Sequence, residues 1–171
     1  MIALEDVSKE NNWVACQCND GDECRASNCP LPGFERSFET CSHATFKIVK
    51  GETPSSTEAI TSGTGVYLLL ADCTSYGVVC LEANHLQCTA KENERAAKMF
   101  IIYAKGKAIG DDIETGDRVI LFNIDRQRWL DVIRPRLALS GYCDAAKAPI
   151  PPNDQTYKTC WGSVAKIHKE E

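Results

Sequence analysis

The chain contains an internal repeat, and this feature restricts its possible folds more than any other. Segment 41–50 resembles segment 160–169, because Cys, Lys, Ile and Lys recur at an offset of 119 residues. The same offset carries Cys24 to Cys143, so that Cys24/Cys41 and Cys143/Cys160 each enclose a step of 17 residues. Such self-similarity predicts structural units that stack and bury a shared core.

A further copy lies in the middle of the chain. Segment 100–105 resembles segment 46–50, and segment 60–66 matches segment 113–119 at an offset of 53 residues. Each matched segment leads into alternating apolar residues, a turn and a second apolar run, which predicts β-hairpins.

The pattern predicts strands throughout the chain and little helix. Segment 92–98 alone favours a turn or a short helix within a connection. The predicted strands number twelve and cover residues 2–4, 13–15, a stretch near 24, 45–49, 66–70, 78–81, 86–89, 99–104, 118–123, 129–132, 137–142 and 164–168. No unit of this kind can bury its apolar face alone, so the units must close on one another.

This pattern resembles the β-trefoil superfamily over the whole chain. The resemblance implies an all-β fold, a single domain of twelve strands in three pseudo-symmetric units, stapled by disulfides. The units would cover residues 1–41 plus 160–171, 42–95 and 96–159. Equivalent large residues would fill the core: Trp13, Val79 and Trp129 in one set, Phe46, Phe100 and Ala165 in a second, and Ile48, Ile102 and Ile167 in a third.

Ten cysteines in a small chain predict a disulfide framework that forms in an oxidising, extracellular compartment. Zinc is the alternative, but paired cysteine knuckles with histidine partners are missing. The equal spacing predicts the bonds Cys24–Cys41 and Cys143–Cys160, and a third bond, Cys73–Cys80, is expected across a hairpin turn. The spacing leaves open the partners of Cys16, Cys18, Cys29 and Cys88.

Charge and hydropathy exclude several classes of protein. The net charge is −5 and the 19 Lys and Arg residues are scattered, which argues against nucleic-acid binding. No apolar run reaches the length of a membrane span. Residues 1–5 lack the basic and apolar regions of a signal peptide, so we expect the sequence to represent a mature secreted domain.

No catalytic constellation is visible. His43, His85 and His168 have no partners at metal-binding spacing, and we expect His43 and His168 to be solvated at strand ends. Motifs of phosphate-binding loops, nucleophile elbows and metalloproteases are absent. The Gln-x-Trp motif of ricin-type lectins occurs once, ending at Trp129, where we interpret it as a structural Trp after a turn. We therefore expect a binding module and not an enzyme, with no metal and no cofactor.

Recognition in a rigid β-fold tends to use its variable turns. A sugar site combines an aromatic face with Asp or Asn partners. The candidate ligand-binding residues are Asn123, Asp125, Arg128, Tyr142, Asn84 and Asp72. These predict a secreted, lectin-like module that binds a glycan or an extracellular protein or receptor.

Two alternatives stay open. A protease inhibitor would use a rigid, Pro-rich, disulfide-flanked loop, either residues 25–33 with Arg25 or residues 146–152 with Lys147. A toxin, effector or self-recognition component would bind a protein partner.

Overall fold

The computed structural model describes residues 1–7, 12–16, 24–28, 44–51, 58–71, 76–80, 86–90, 99–131, 138–140, 150–160 and 163–169. These residues form an all-β fold with one short helix. The strands are β1 (Ile2–Asp6), β2 (Trp13–Ala15), β3 (Arg25–Ser27), β4 (Phe46–Lys50), β5 (Thr64–Leu70), β6 (Tyr76–Cys80), β7 (Leu86–Ala90), β8 (Phe100–Ala104), β9 (Arg118–Asn123), β10 (Arg128–Asp131), β11 (Ala138–Ser140) and β12 (Ala165–Lys169), and the helix is α1 (Asp154–Thr159). Within these ranges no helix is long and apolar enough to cross a membrane.

Six strands close into an antiparallel barrel. Going round the ring, β1 pairs with β4, β4 with β5, β5 with β8, β8 with β9, β9 with β12, and β12 with β1 again. The first and last strands are therefore neighbours, as the repeat predicted. The hairpins β2–β3, β6–β7 and β10–β11 lie off this ring. The arrangement is compatible with a β-trefoil-like fold.

Three strand pairs of the barrel share one register. Phe46 pairs with Leu70 in β4–β5, Phe100 with Asn123 in β8–β9, and Ala165 with Asp6 in β1–β12. The three residues predicted to be equivalent thus occupy the same position in three strand pairs, and all three are fully buried. One backbone hydrogen bond also recurs beside each pair, from Ala71 N to Thr45 O, from Ile124 N to Met99 O and from Val7 N to Val164 O.

The main core lies inside the barrel, and smaller clusters lie against its outer face. The inner cluster includes Phe46, Phe100, Ile102 and Ile167, with Ile48 packed against it. Every second side chain of a barrel strand points away from the barrel interior. Two Trp rings pack on this outer face and are themselves buried there. Trp129 packs with Tyr103, Ile120, Phe122, Tyr157, Cys160 and Val164, and Trp13 packs with Ala3, Ala15 and Ala44. Both rings were predicted to be core; the side chain of Val79 lies outside the described part.

Helix α1 was not predicted from the sequence. Its start is fixed by Asn153, whose Oδ1 accepts a hydrogen bond from Thr156 N at 3.1 Å, while Asn153 N donates to Thr156 Oγ1 at 3.1 Å. This reciprocal capping box satisfies two backbone donors that would otherwise be unpaired. Segment 92–98, where a turn or short helix was expected, lies outside the described residues.

The predicted bond between Cys24 and Cys41 is wrong, because Cys24 forms a disulfide with Cys16. Strands β2 and β3 pair Ala15 with Arg25, so the next residues in register, Cys16 and Cys24, face each other. The equal cysteine spacing therefore no longer supports secretion, although the bond itself fits an oxidising compartment. Since Cys41, Cys73 and Cys143 lie outside the described residues, the bonds Cys143–Cys160 and Cys73–Cys80 stay predictions.

Candidate functional site

The turn between β9 and β10 is organised by Asn123. This residue is fully buried, and its Oδ1 accepts a hydrogen bond from Arg126 N at 3.0 Å, while its carbonyl oxygen accepts one from Gln127 N at 3.0 Å. Gln127 has a φ of 55°, the left-handed conformation that closes the turn. The prediction that Asn123 reaches a ligand at the surface is therefore wrong, because its side chain points inward and holds the turn.

The remaining predicted binding residues fall into two groups. Asp125 and Arg128 are exposed in and beside this turn, where a ligand can reach them. Tyr142, Asn84 and Asp72 lie outside the described residues. Asp125 and Arg128 are thus each exposed at or beside the β9–β10 turn, and their role in binding stays a prediction.

A groove of about 500 Å³ lies beside the same turn. Its walls come from the end of β4, the start of β5, the start of β8 and the β9–β10 turn. The lining residues are Lys50, Gly63, Thr64, Gly65, Met99, Ile101 and Ile124. Because Ile124 precedes the exposed Asp125, the predicted turn forms one rim of the groove. Sequence reasoning missed the groove, although segment 60–66, which supplies Gly63, Thr64 and Gly65 to its lining, had been recognised as part of the repeat.

Two lining residues of the groove, Gly63 and Gly65, have no side chain. A Cβ atom at Gly65 would lie 3.2 Å from Met99 Sδ, and one at Gly51 would lie 2.8 Å from Met99 Cε. The Met99 side chain therefore lies across Gly51 and Gly65. A long, unbranched thioether adapts easily to a change in its surroundings, so Met99 can shift as a ligand enters.

The backbone geometry of β5 does not require a glycine at position 65. Gly65 pairs with Ile101 next to the pair Val66–Phe100, and Arg118 pairs with Lys166 next to the pair Val119–Ala165. Arg118 thus occupies the matching position in β9 and carries a long side chain there. The missing side chain at Gly65 opens the groove between β4 and β8.

One ion pair borders the groove. Lys50 Nζ lies 2.9 Å from Glu58 Oε2, and the Glu58 side chain is 81% exposed against 18% for Lys50. The hydrogen bond from Lys50 and its positive charge lower the pKa of Glu58. Lys50 is the one charged residue among the described residues that line the groove.

His168 is not the solvated residue that the sequence predicted. Its Nε2 lies 3.1 Å from Glu5 Oε1, and its ring centroid lies 4.9 Å from that of Trp13. These contacts join β12 to β1 and β2, which is a structural role at the barrel closure. In the ranges given above, no group of three or more His, Cys, Asp or Glu residues could hold a metal ion; His43 and His85 lie outside them.

The proposed inhibitory loops are only partly described. Arg25 belongs to β3 and pairs with Ala15, so it does not lie in a free extended loop as the inhibitor hypothesis required. Residues 29–33 and Lys147 lie outside the described part. Ile150, in the second predicted loop, is described and is exposed.

Comparisons with known proteins show a fold and no family. No family model and no curated protein matches the chain. A mosquitocidal holotoxin has a TM-score of 0.62 at 8% identity, over 99% of this chain and 17% of the toxin chain. An SDF2-like protein from Arabidopsis thaliana has a TM-score of 0.60 at 13% identity, over 98% of this chain and 91% of that one.

A third similar structure is the protein O-mannosyltransferase Pmt1–Pmt2 complex of S. cerevisiae bound to the sugar donor. Its TM-score is 0.58 at 9% identity, over 98% of this chain and 24% of that chain. The chain thus spans about a sixth of the toxin chain, about a quarter of the mannosyltransferase chain, and nearly all of the SDF2-like protein. These likenesses support a β-trefoil-like fold.

Proposed function

We propose that this chain is a secreted, non-enzymatic recognition module that binds a glycan in the groove beside the β9–β10 turn. The observation that carries this proposal is the groove itself. Its volume of about 500 Å³ falls in the range of small-ligand sites, roughly 300–1,000 Å³. Its lining combines apolar side chains with polar side-chain and backbone groups, and the polar groups of such a site fix the orientation of the ligand.

The lining offers both kinds of contact that a sugar needs. Met99, Ile101 and Ile124 provide an aliphatic surface for the C–H face of a sugar ring. The Thr64 hydroxyl and the Lys50 ammonium provide hydrogen-bonding groups for sugar hydroxyls. Asp125, which follows Ile124 in the turn, and Arg128, at the start of β10, would extend the polar contacts to a second sugar unit.

The location and the architecture are part of the same proposal. The Cys16–Cys24 disulfide supports an oxidising, extracellular compartment. We propose that the fold is a complete twelve-stranded β-trefoil, with the three units predicted above. The shared register of the three strand pairs supports that division.

One similar structure belongs to a complex bound to a sugar donor, and we therefore place glycans before protein receptors as ligands to test.

A glycan array tests the proposal with a variant that fills the groove. In Gly65→Val the new side chain takes the place of the flexible Met99 side chain, which must move into the groove, and a β-branched residue suits a strand. Lys47→Val is the matched control, because Lys47 is exposed on β4 and does not line the groove. We expect binding by the wild type and Lys47→Val, and loss of binding in Gly65→Val with an unchanged circular dichroism spectrum.

Two results would overturn the proposal. One is that no glycan binds the wild type; the other is that folded Gly65→Val retains the binding. Inhibition of serine or cysteine proteases in a parallel assay would favour the inhibitor alternative instead.

A further inference from the structure

We infer that the groove selects glycans that carry a carboxylate, and that Glu58 occupies the carboxylate position on Lys50 until such a ligand displaces it. This inference rests on the proposed function, since it names the ligand class of the same groove. It rests on the ion pair of Lys50 with Glu58, on the charge of the groove lining, and on the aliphatic side chains of Met99 and Ile101.

Lys50 brings a positive charge to the groove of an acidic protein. The chain has a net charge of −5, and Lys50 is the one charged side chain among the described lining residues. A neutral sugar cannot replace Glu58 as the anionic partner of Lys50, whereas an acidic sugar would form a charge-assisted hydrogen bond with it. Such bonds are about twice as strong as those between neutral groups.

Glu58 shows that a carboxylate fits against Lys50. Its Oε2 lies 2.9 Å from Lys50 Nζ, and its side chain is 81% exposed. Glu58 does not itself line the groove. Ion pairs with so exposed a partner are weak, so the carboxylate of a ligand can compete with Glu58 for Lys50. The carboxylate of a bound ligand would then replace it on Lys50.

The shape of the site favours an acidic sugar over other anions. A single ammonium group matches a single negative charge, whereas phosphate and sulfate sites favour Arg forks or several converging backbone N–H groups. The aliphatic side chains of Met99 and Ile101 line the rest of the groove and can pack on a sugar ring. A uronic or sialic acid has both a ring face and one carboxylate.

Matched sugars test the inference. Methyl β-D-glucuronide is compared with methyl β-D-glucoside, which lacks only the carboxylate, and 3′-sialyllactose is compared with lactose. Binding is followed by chemical-shift changes at the backbone amides of Met99 and Ile101, at low and at high ionic strength. We expect at least one acidic sugar to bind about tenfold more tightly than its neutral counterpart, a difference that one charge-assisted hydrogen bond explains, and salt to reduce this difference.

Variants of the ion pair assign the effect to Lys50 and Glu58. Lys50→Gln should abolish the preference for the acidic sugar, and Glu58→Gln should strengthen binding of the acidic sugar without changing that of the neutral one. Lys47→Gln and Glu114→Gln are the controls, because Lys47 is on the same strand but does not line the groove, and Glu114 is an exposed partner of Lys107. Both controls should behave like the wild type.

The outcomes separate this inference from the proposed function. Equal binding of acidic and neutral sugars, with shifts at Met99 and Ile101, overturns the inference and leaves the proposed function intact. A preference that survives Lys50→Gln, or weaker acidic-sugar binding by Glu58→Gln, also overturns it. If no glycan binds the wild type in the array, both proposals fail; binding of an acidic peptide alone would likewise contradict both.

Discussion

The Oδ1 atom of Asn123 accepts a hydrogen bond from the backbone nitrogen of Arg126 at 3.0 Å, and Asn123 is buried while Asp125 between them is exposed. The two neighbouring polar residues therefore have different roles. Asn123 fixes the shape of the β9–β10 turn, and Asp125 is presented by it.

Asn123→Ala should destabilise the protein by about 1–2 kcal/mol, because the Arg126 N–H loses its acceptor in a partly buried turn. Asp125→Ala should change the free energy of unfolding by less than about 0.5 kcal/mol, as is usual for exposed positions. Urea unfolding of both variants measures the difference. Equal losses of stability in the two variants would contradict these roles.

Trp129 tests the packing on the outer face of the barrel. Its ring is fully buried and lies 5.0 Å from the ring of Phe122 and 6.5 Å from that of Tyr103, measured between centroids. Trp129→Ala should cost about 3–5 kcal/mol, because it leaves a cavity between these rings.

Trp129→Phe is the matched variant for the same position. The indole Nε1 has no hydrogen-bond partner in the described part of the structure, so Phe removes no hydrogen bond there. We expect it to retain most of the stability that Ala loses, as judged by the midpoint of guanidinium unfolding. A loss as large as that of Trp129→Ala would show that the packing account is wrong.

The sequence predicted the barrel well because its signal lies in large apolar residues at fixed spacing. Phe46 and Phe100 recur with the same neighbours, and the structure places them at one position in two hairpins. Periodic apolar residues must face the core wherever the strand lies. They can therefore be recognised in a sequence without knowing which strands pair.

The groove could not be predicted in the same way. Gly65 and Met99 come together only through the pairing of β5 with β8, and a sequence does not give that register. Asn123 was misplaced for a related reason. A polar residue at a turn is usually solvated, and only the hydrogen bond from Arg126 shows that this side chain points inward. The partner of Cys24 likewise depended on the register of β2 with β3.

The disulfide Cys16–Cys24 can be established by peptide mapping without reduction. A protease that cleaves at the acidic residues between the two cysteines, such as Asp20 and Glu23, leaves fragments joined only by this bond. Cys16→Ser should remove the joined fragment, whereas Cys18→Ser should leave it intact. A fragment that joins Cys24 to Cys41 in the wild type would contradict the structure.

The same bond should contribute measurably to stability. It closes a short loop, with a sequence separation of 8 residues. On the chain-entropy model a loop of that size stabilises by about 2–3 kcal/mol. The double variant Cys16→Ala/Cys24→Ala should lose about that amount in urea unfolding, and a loss near zero would indicate that the β2–β3 pairing already holds the loop in the unfolded ensemble.

Tyr157 should make the protein sensitive to alkaline pH. Burial, together with the negative charge of Asp154 and the proximity of Tyr103, raises the pKa of Tyr157, and burial also raises the pKa of Tyr103. A tyrosine in the unfolded chain loses its proton near pH 10, roughly the model value. Above that pH the unfolded state binds fewer protons than the folded state, so stability falls as the pH rises. Below it, this contribution is fully present.

Tyrosinate absorbance at 295 nm and urea unfolding between roughly pH 8 and 11.5, a range that brackets the ordinary tyrosine pKa, measure the effect. We expect one part of the tyrosines to ionise gradually, and another part, including Tyr157, to ionise only together with unfolding. In Tyr157→Phe the second part should shrink and the loss of stability above pH 10 should be smaller. Stability at pH 7 serves as the reference for each protein, so that the packing cost of the substitution is separated from its effect on titration. If Tyr157→Phe loses stability with pH as steeply as the wild type, the buried phenol of Tyr157 is not the group that sets the alkaline limit.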